Sequence, residues 1–125
     1  MAFTQEMFVN PNIYSSAALE TVALVTGGAN LANGARLLGF VANNNSASAA
    51  YVQVFDKSSA PSGGAVPLLV VNIAATSQQS VDCNCLNCLP VVNGIVIALS
   101  STLATYTQVA TQLFVTAAWI QPGNN

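Results

Sequence analysis

The stretch that decides the fold is LLGFVANNNSASAAYVQVFD, residues 37–56. In it, two apolar runs rich in β-branched and aromatic residues flank a small, mostly polar segment at positions 43–48. This pattern is typical of two strands joined in a hairpin, so we expect residues 37–42 to pair with residues 49–55. Both faces of both strands are largely apolar. The pair therefore needs cover on both sides, from a second sheet or from a neighbouring subunit.

Short apolar runs separated by turn signals continue along the rest of the chain. Further strands are expected within residues 18–26, 68–74, 104–109 and 113–120. Residues 91–99 form either a bulged strand or a tight turn followed by a strand from Ile95. About seven or eight short strands at spacings of roughly ten residues, with no persuasive helix, predict an all-β fold. We expect a single β-sandwich, of jelly-roll or immunoglobulin-like topology.

One domain is expected from 125 residues. Residues 1–16 read as an extended N-terminal arm, residues 17–120 as the sandwich and residues 121–125 as a polar tail. The arm is interrupted by the turn signal Asn10-Pro11-Asn12, and it packs either on its own domain or on a neighbouring subunit. Its large apolar anchors are Phe3, Met7, Phe8, Ile13 and Tyr14.

The composition is 53% hydrophobic and only 5% charged, against about 25% charged residues in ordinary soluble domains. Such a surface suits a protein packed against other proteins, so we expect a homo-oligomer, a trimer or a dimer.

A net charge of −2 with two basic residues argues against a nucleic-acid partner. No apolar run reaches the roughly 20 residues of a membrane span, and the first residues lack the features of a signal peptide. Synthesis in the cytoplasm and no membrane partner are therefore expected.

The cysteine segment, with Cys83, Cys85 and Cys88 in a C-x-C-x-x-C pattern, is the main concentration of reactive side chains. Thiolates bind zinc and iron–sulfur clusters, which makes the three cysteines weak candidate metal ligands. A structural zinc site usually has four ligands, and the chain has no histidine and no fourth cysteine. Reduced structural thiols, one disulfide and a metal site all remain open, and no cofactor is predicted.

Catalysis is not predicted. Without histidine, the usual serine or cysteine hydrolase arrangement lacks its general base, and no glycine pair continues into a phosphate-binding loop. Tyr106 is the aromatic residue that we expect to be exposed. The loop over residues 56–67 is a candidate contact surface, with Asp56, Lys57 and Pro61 as its candidate interface residues.

The run GFVANNNSASAAYVQVFDKSSAPSGGAVP (residues 39–67), together with NGIVIALSST (residues 93–102), resembles a group of small virion proteins of tailed phages. The resemblance covers about half of the chain and lies in structural motifs. It implies a β-sandwich component of a phage particle, such as a capsid decoration or cement protein. The cysteine segment departs from the group's pattern.

These features lead to three hypotheses. The first is a structural virion protein on the outer capsid surface, bound to the major capsid protein as a symmetric homo-oligomer. The second is a tail-fibre or spike component that binds a host receptor or glycan, and the third is a protein stabilised by a metal on its cysteines.

Overall fold

The computed structural model describes residues 11–27, 31, 34–83 and 89–121. These residues form nine β-strands and no α-helix, so the predicted all-β fold is confirmed. The strands are β1 (Asn12–Ser15), β2 (Val22–Leu24), β3 (Ala35–Asn44), β4 (Ala50–Phe55), β5 (Leu69–Ile73), β6 (Ser77–Asp82), β7 (Leu89–Val91), β8 (Val96–Ser100) and β9 (Leu113–Ile120). β1 lies inside the predicted arm, and β6 occupies a polar segment that the sequence pattern assigns to a connection.

The strands form two antiparallel sheets. Sheet A has the order β1-β9-β3-β6, and β7 pairs with the first residues of β3 alongside β6. Sheet B has the order β2-β8-β4-β5. Of the two alternatives for residues 91–99, the structure contains the turn, because β7 ends at Val91 and β8 begins at Val96.

One hydrophobic core is shared by the two sheets. In β9, buried residues alternate with more exposed ones over residues 113–117, as expected for a strand with one face on a core. Each fully buried valine, leucine or isoleucine stabilises the fold by about 1.5–3 kcal/mol. The core includes Leu37, Ala42, Leu113, Val115 and Ala117 from sheet A, and Ala23, Val52, Val54, Ile97 and Leu99 from sheet B. The arrangement is sandwich-like, as the sequence predicts.

The predicted hairpin between residues 37–42 and 49–55 is wrong. β3 pairs with β6, β7 and β9, whereas β4 pairs with β5 and β8. Residues 45–49 therefore carry the chain from sheet A to sheet B. The Asn44 side chain holds this corner, because its Nδ2 group donates to the carbonyl oxygens of Ser48 (2.9 Å) and Ala74 (3.2 Å). Ala74 follows β5 and belongs to the next crossing between the sheets, so one amide ties the two crossings together.

The outer face of sheet B is covered by two loops of the chain itself. One connects β4 to β5 and the other connects β8 to β9. Phe55, Val96, Ala98 and Tyr106 form a second, smaller hydrophobic cluster there. Tyr106 is only 3% exposed and packs edge-to-face on Phe55, with ring centroids 5.7 Å apart. The predicted exposure of Tyr106 is therefore wrong, and so is the strand over residues 104–109, which contribute one isolated bridge, between Ser100 and Gln108.

Candidate interaction surface

The outer face of sheet A, in contrast, carries an open groove of about 540 Å³. Residues that face each other across antiparallel strands share one face of a sheet. The register places Ala118 beside Ile13 on one side and beside Gly39 on the other, and Gly39 beside Asp82. All four residues line the groove, which therefore crosses the sheet from β1 to β6.

A second row of residues forms the adjacent part of the groove. Val41 lies between Thr116 of β9 and Ser80 of β6, and all three line the groove. At the groove's edge Ile13 is 63% exposed. The surface thus has apolar side chains along its middle and hydroxyl and carboxylate groups near β6, with no basic residue among those that line it.

An irregularity in β3 lies in the groove. Leu37 pairs with Trp119 and Gly39 with Ala118, so that Leu38 is an extra residue, as in a β-bulge. Leu38 lines the groove. A Cβ atom on Gly39 would lie 2.8 Å from the carbonyl oxygen of Val81, so only glycine allows β6 to approach this closely.

A second, more polar cleft of about 340 Å³ lies further along the same face. It contains the half-buried ring of Phe114, whose cross-strand partner is Asn43. Amide side chains surround the ring, since Asn45 and Gln78 line the cleft as well. An aromatic ring among amides is a chemically distinct surface from the apolar groove.

Hydrogen bonds fix the position of β1 at the edge of sheet A. The Tyr14 hydroxyl donates to the Glu20 carboxylate at 2.5–2.6 Å, and the Ser16 hydroxyl donates to the same carboxylate at 2.5 Å. The Ser16 oxygen also accepts the backbone N–H of Val115 at 3.0 Å. Burial, together with the adjacent Glu20, raises the pKa of Tyr14 to about 12. The chain therefore enters the sheet at a well-anchored point beside the groove.

The Asp56 carboxylate holds the turn between β7 and β8. It accepts backbone N–H groups from Val92 (3.1 Å), Asn93 (2.7 Å) and Gly94 (3.4 Å). Gly94 is buried, and a Cβ on it would lie 2.6 Å from the carbonyl oxygen of Lys57. Asp56 thus has a structural role at the start of its loop.

The other interface candidates from the sequence lie in different environments. Lys57 is exposed and Pro61 is buried, while Tyr14 is half-buried in the cluster with Glu20. Among the candidates that the structure describes, only Ile13 lines the groove. Phe3, Met7 and Phe8 lie outside the described residues, so their role as interface residues stays a prediction.

The cysteine hypothesis receives only a partial structural description. Cys83 is buried beside the end of β6 and belongs to the core, whereas Cys85 and Cys88 lie outside the described residues. Within the described part of the chain, no three histidine, cysteine or acidic side chains are grouped in a way that could hold a metal ion.

A buried polar site, which the sequence pattern does not predict, holds the loop between β8 and β9 over sheet B. Gln53 is fully buried, and its Nε2 group donates to the carbonyl oxygens of Thr102 (2.9 Å) and Leu103 (3.1 Å). Ser100 accepts the backbone N–H of Thr107 at 2.9 Å. The sequence signal for this site is a single glutamine within the apolar run YVQVF, residues 51–55.

Comparisons with known proteins give no functional assignment for this chain. No protein family, curated protein or solved structure matches it. Across residues 11–27, 31, 34–83 and 89–121 there is also no helix that could span a bilayer.

Proposed function

We propose that this chain is a non-enzymatic structural protein of a tailed-phage particle, built as a jelly-roll β-sandwich. In this proposal it forms a symmetric homo-oligomer, a trimer or a dimer, on the outer capsid surface. It binds the major capsid protein there and stabilises the capsid through packed interfaces, after synthesis in the host cytoplasm.

The strand order supports the jelly-roll topology over the immunoglobulin-like one. The chain runs through sheets A, B, A, B, B, A, B and A when β6 and β7 are counted as one position beside β3. First and last strands are neighbours in sheet A, and the second and the second-to-last strands are neighbours in sheet B. Folding of a long antiparallel ribbon into two sheets produces this nested order, and jelly rolls of this kind recur in viral capsid proteins.

The observation that carries the structural role is the open outer face of sheet A. It exposes an apolar groove with Ile13 at its edge, in a chain with only 5% charged residues. Large apolar patches of soluble proteins commonly mark interaction sites, and low charge does little to prevent self-association. The assignment to a phage particle is supported by the sequence resemblance over residues 39–67 and 93–102.

The proposal is tested on purified particles of the phage that encodes this chain. Quantitative mass spectrometry should find the chain at hundreds of copies per particle, as a capsid-wide protein requires. Removal of the gene should yield particles that release their DNA at a lower temperature, and added purified protein should restore the higher temperature. A few copies per particle would place the chain in the tail, and its absence from particles would refute the virion role.

A second candidate function, receptor or glycan binding, is favoured by the polar cleft at Phe114. An aromatic ring among amide side chains offers both an apolar platform and hydrogen-bonding groups to a sugar. Binding to a glycan array that Phe114→Ser abolishes and Leu103→Ser preserves would support this function. No binding to sugars or host cells would leave the structural role alone.

A further inference from the structure

We propose that the apolar groove on sheet A is the docking site for residues 1–10 of a second copy of this chain. The inference rests on the proposed homo-oligomer and specifies how its subunits are joined. Three arguments support it: the chemistry of the segment and of the groove, the length of the segment, and the conformational restriction at Asn10-Pro11 before β1.

The chemistry of the segment matches that of the groove. In an extended chain, alternate residues point to the same side. In an extended segment MAFTQEMFVN, Phe3, Met7 and Val9 would therefore share one side. The middle of the groove presents Val41 and Ala118 to them. Each large apolar side chain that leaves water on docking contributes favourably to binding.

The length of the segment is sufficient to cross the groove. Sheet A has three strand-to-strand intervals between β1 and β6, which at about 4.8 Å each make a width of about 14 Å. An extended chain of the ten residues before Pro11 reaches about 33 Å. The segment can therefore cross the whole sheet and retain several residues as a connection between subunits.

The direction of the chain favours a second copy over the segment's own groove. β1 already pairs with β9 at Asn12, so a reversal has to occur before that residue. Pro11 has a fixed φ angle, and a residue that precedes proline, here Asn10, is restricted to extended conformations. A chain that continued from Pro11 in the direction of β1 would lead away from its own groove, which favours the groove of a second copy. In a closed symmetric oligomer, each copy would donate one segment and receive one.

The test uses photo-crosslinking in the intact full-length chain. Met7 is replaced by a photoreactive benzoyl-phenylalanine, and unlabelled and isotope-labelled chains are co-assembled by unfolding and refolding as a mixture before illumination. Mass spectrometry then identifies the cross-linked peptides. The expected result is cross-links from position 7 to residues 38–41 or 116–118, with mixed-isotope pairs at the statistical proportion. Cross-links only within single chains would overturn the inference, as would cross-links to another surface or none at all.

A pair of surface variants provides the control. Thr116→Arg places a large charge in the groove at an exposed position, and Leu103→Arg does the same on the opposite side of the molecule, over sheet B. Thr116→Arg should abolish the cross-links and reduce the oligomer mass in light scattering, while Leu103→Arg should change neither. An oligomer that binds particles but survives Thr116→Arg would refute this docking site without refuting the structural role. A chain absent from particles would refute the structural role, whatever the cross-links show.

Discussion

Gln53→Glu should destabilise the protein strongly at neutral pH. The substitution removes an Nε2 group that donates to the carbonyl oxygens of Thr102, Leu103 and Thr105 at 2.9–3.3 Å, and it leaves a carboxylate among those oxygens. The loss of two N–H donors costs about 1 kcal/mol each, and burial of a charged group costs about 1–3 kcal/mol or more. The free energy of unfolding should therefore fall by about 3–5 kcal/mol. That is a large part of the roughly 5–15 kcal/mol that stabilises a typical domain.

Urea unfolding, followed by far-ultraviolet circular dichroism, measures this loss. Burial raises the pKa of a carboxyl group, and the protonated acid regains one donor. The deficit of Gln53→Glu should therefore be largest near pH 7 and shrink as the pH falls to about 4. Gln53→Leu, which lacks the charge, should cost less and show no such pH dependence.

The matched control is Gln78→Glu, the same substitution at an exposed position of β6. It should change the free energy of unfolding by no more than about 0.5 kcal/mol, as is usual for surface sites. An equally small effect of Gln53→Glu at pH 7 would refute the claim that Gln53 holds the loop over sheet B.

Three further predictions concern single interactions. Asp56→Ala should lower the free energy of unfolding by about 1–3 kcal/mol, because three backbone N–H groups lose a charged acceptor; Asp56→Asn, which keeps one oxygen, should lose less in the same urea titration. The Tyr14 pKa of about 12 lies above the ordinary value of 10.0, so the stability that its protonated hydroxyl contributes is fully present below pH 10 and is lost between pH 10 and 12. In an NMR titration of the ring, Glu20→Gln should lower that pKa, and an unchanged value would exclude the hydrogen bond as a cause. Gly39→Ala should cost about 1–3 kcal/mol in thermal or urea unfolding, because its Cβ would meet a β6 carbonyl oxygen at 2.8 Å, whereas Gly63→Ala, at an open position, should be neutral.

Several strands of this fold, including β3, β4, β5 and β9, could be predicted from the sequence, but β6 and the strand pairing could not. Residues 37–56 contain two strands close to the predicted positions, β3 and β4. The pattern of two apolar runs separated by a polar segment is typical of a hairpin, and it is equally compatible with a crossing between two sheets. The structure contains the crossing, where the Asn44 amide donates to the carbonyl oxygen of Ala74, 30 residues further along. That contact has no local signature.

The same limit explains the error at Tyr106. Its threonine neighbours indicate an exposed strand, yet its ring packs on Phe55, and its backbone exchanges hydrogen bonds with residues 64 and 65. Two loops distant in sequence cover the ring together, which single-residue polarity does not reveal. The sequence did predict that β4 needs cover on both faces. It did not indicate that two loops of the same chain cover the outer face.

The two outer faces of the molecule differ in a way that bears on assembly. Sheet B is covered by loops of its own chain, which Gln53, Ser100 and Tyr106 hold in place. Nothing in the described part of the chain covers the corresponding face of sheet A, where the β3 bulge and Gly39 line an apolar groove. A chain that covers one face with its own loops, and presents on the other an apolar groove with Asp82 near its β6 side, is suited to receive its second cover from a partner. A stable interface of standard size buries about 800 Å² per partner, more than one short segment supplies. The N-terminal segment would then be one part of a larger contact, and Thr116→Arg should weaken the oligomer further than deletion of residues 2–9.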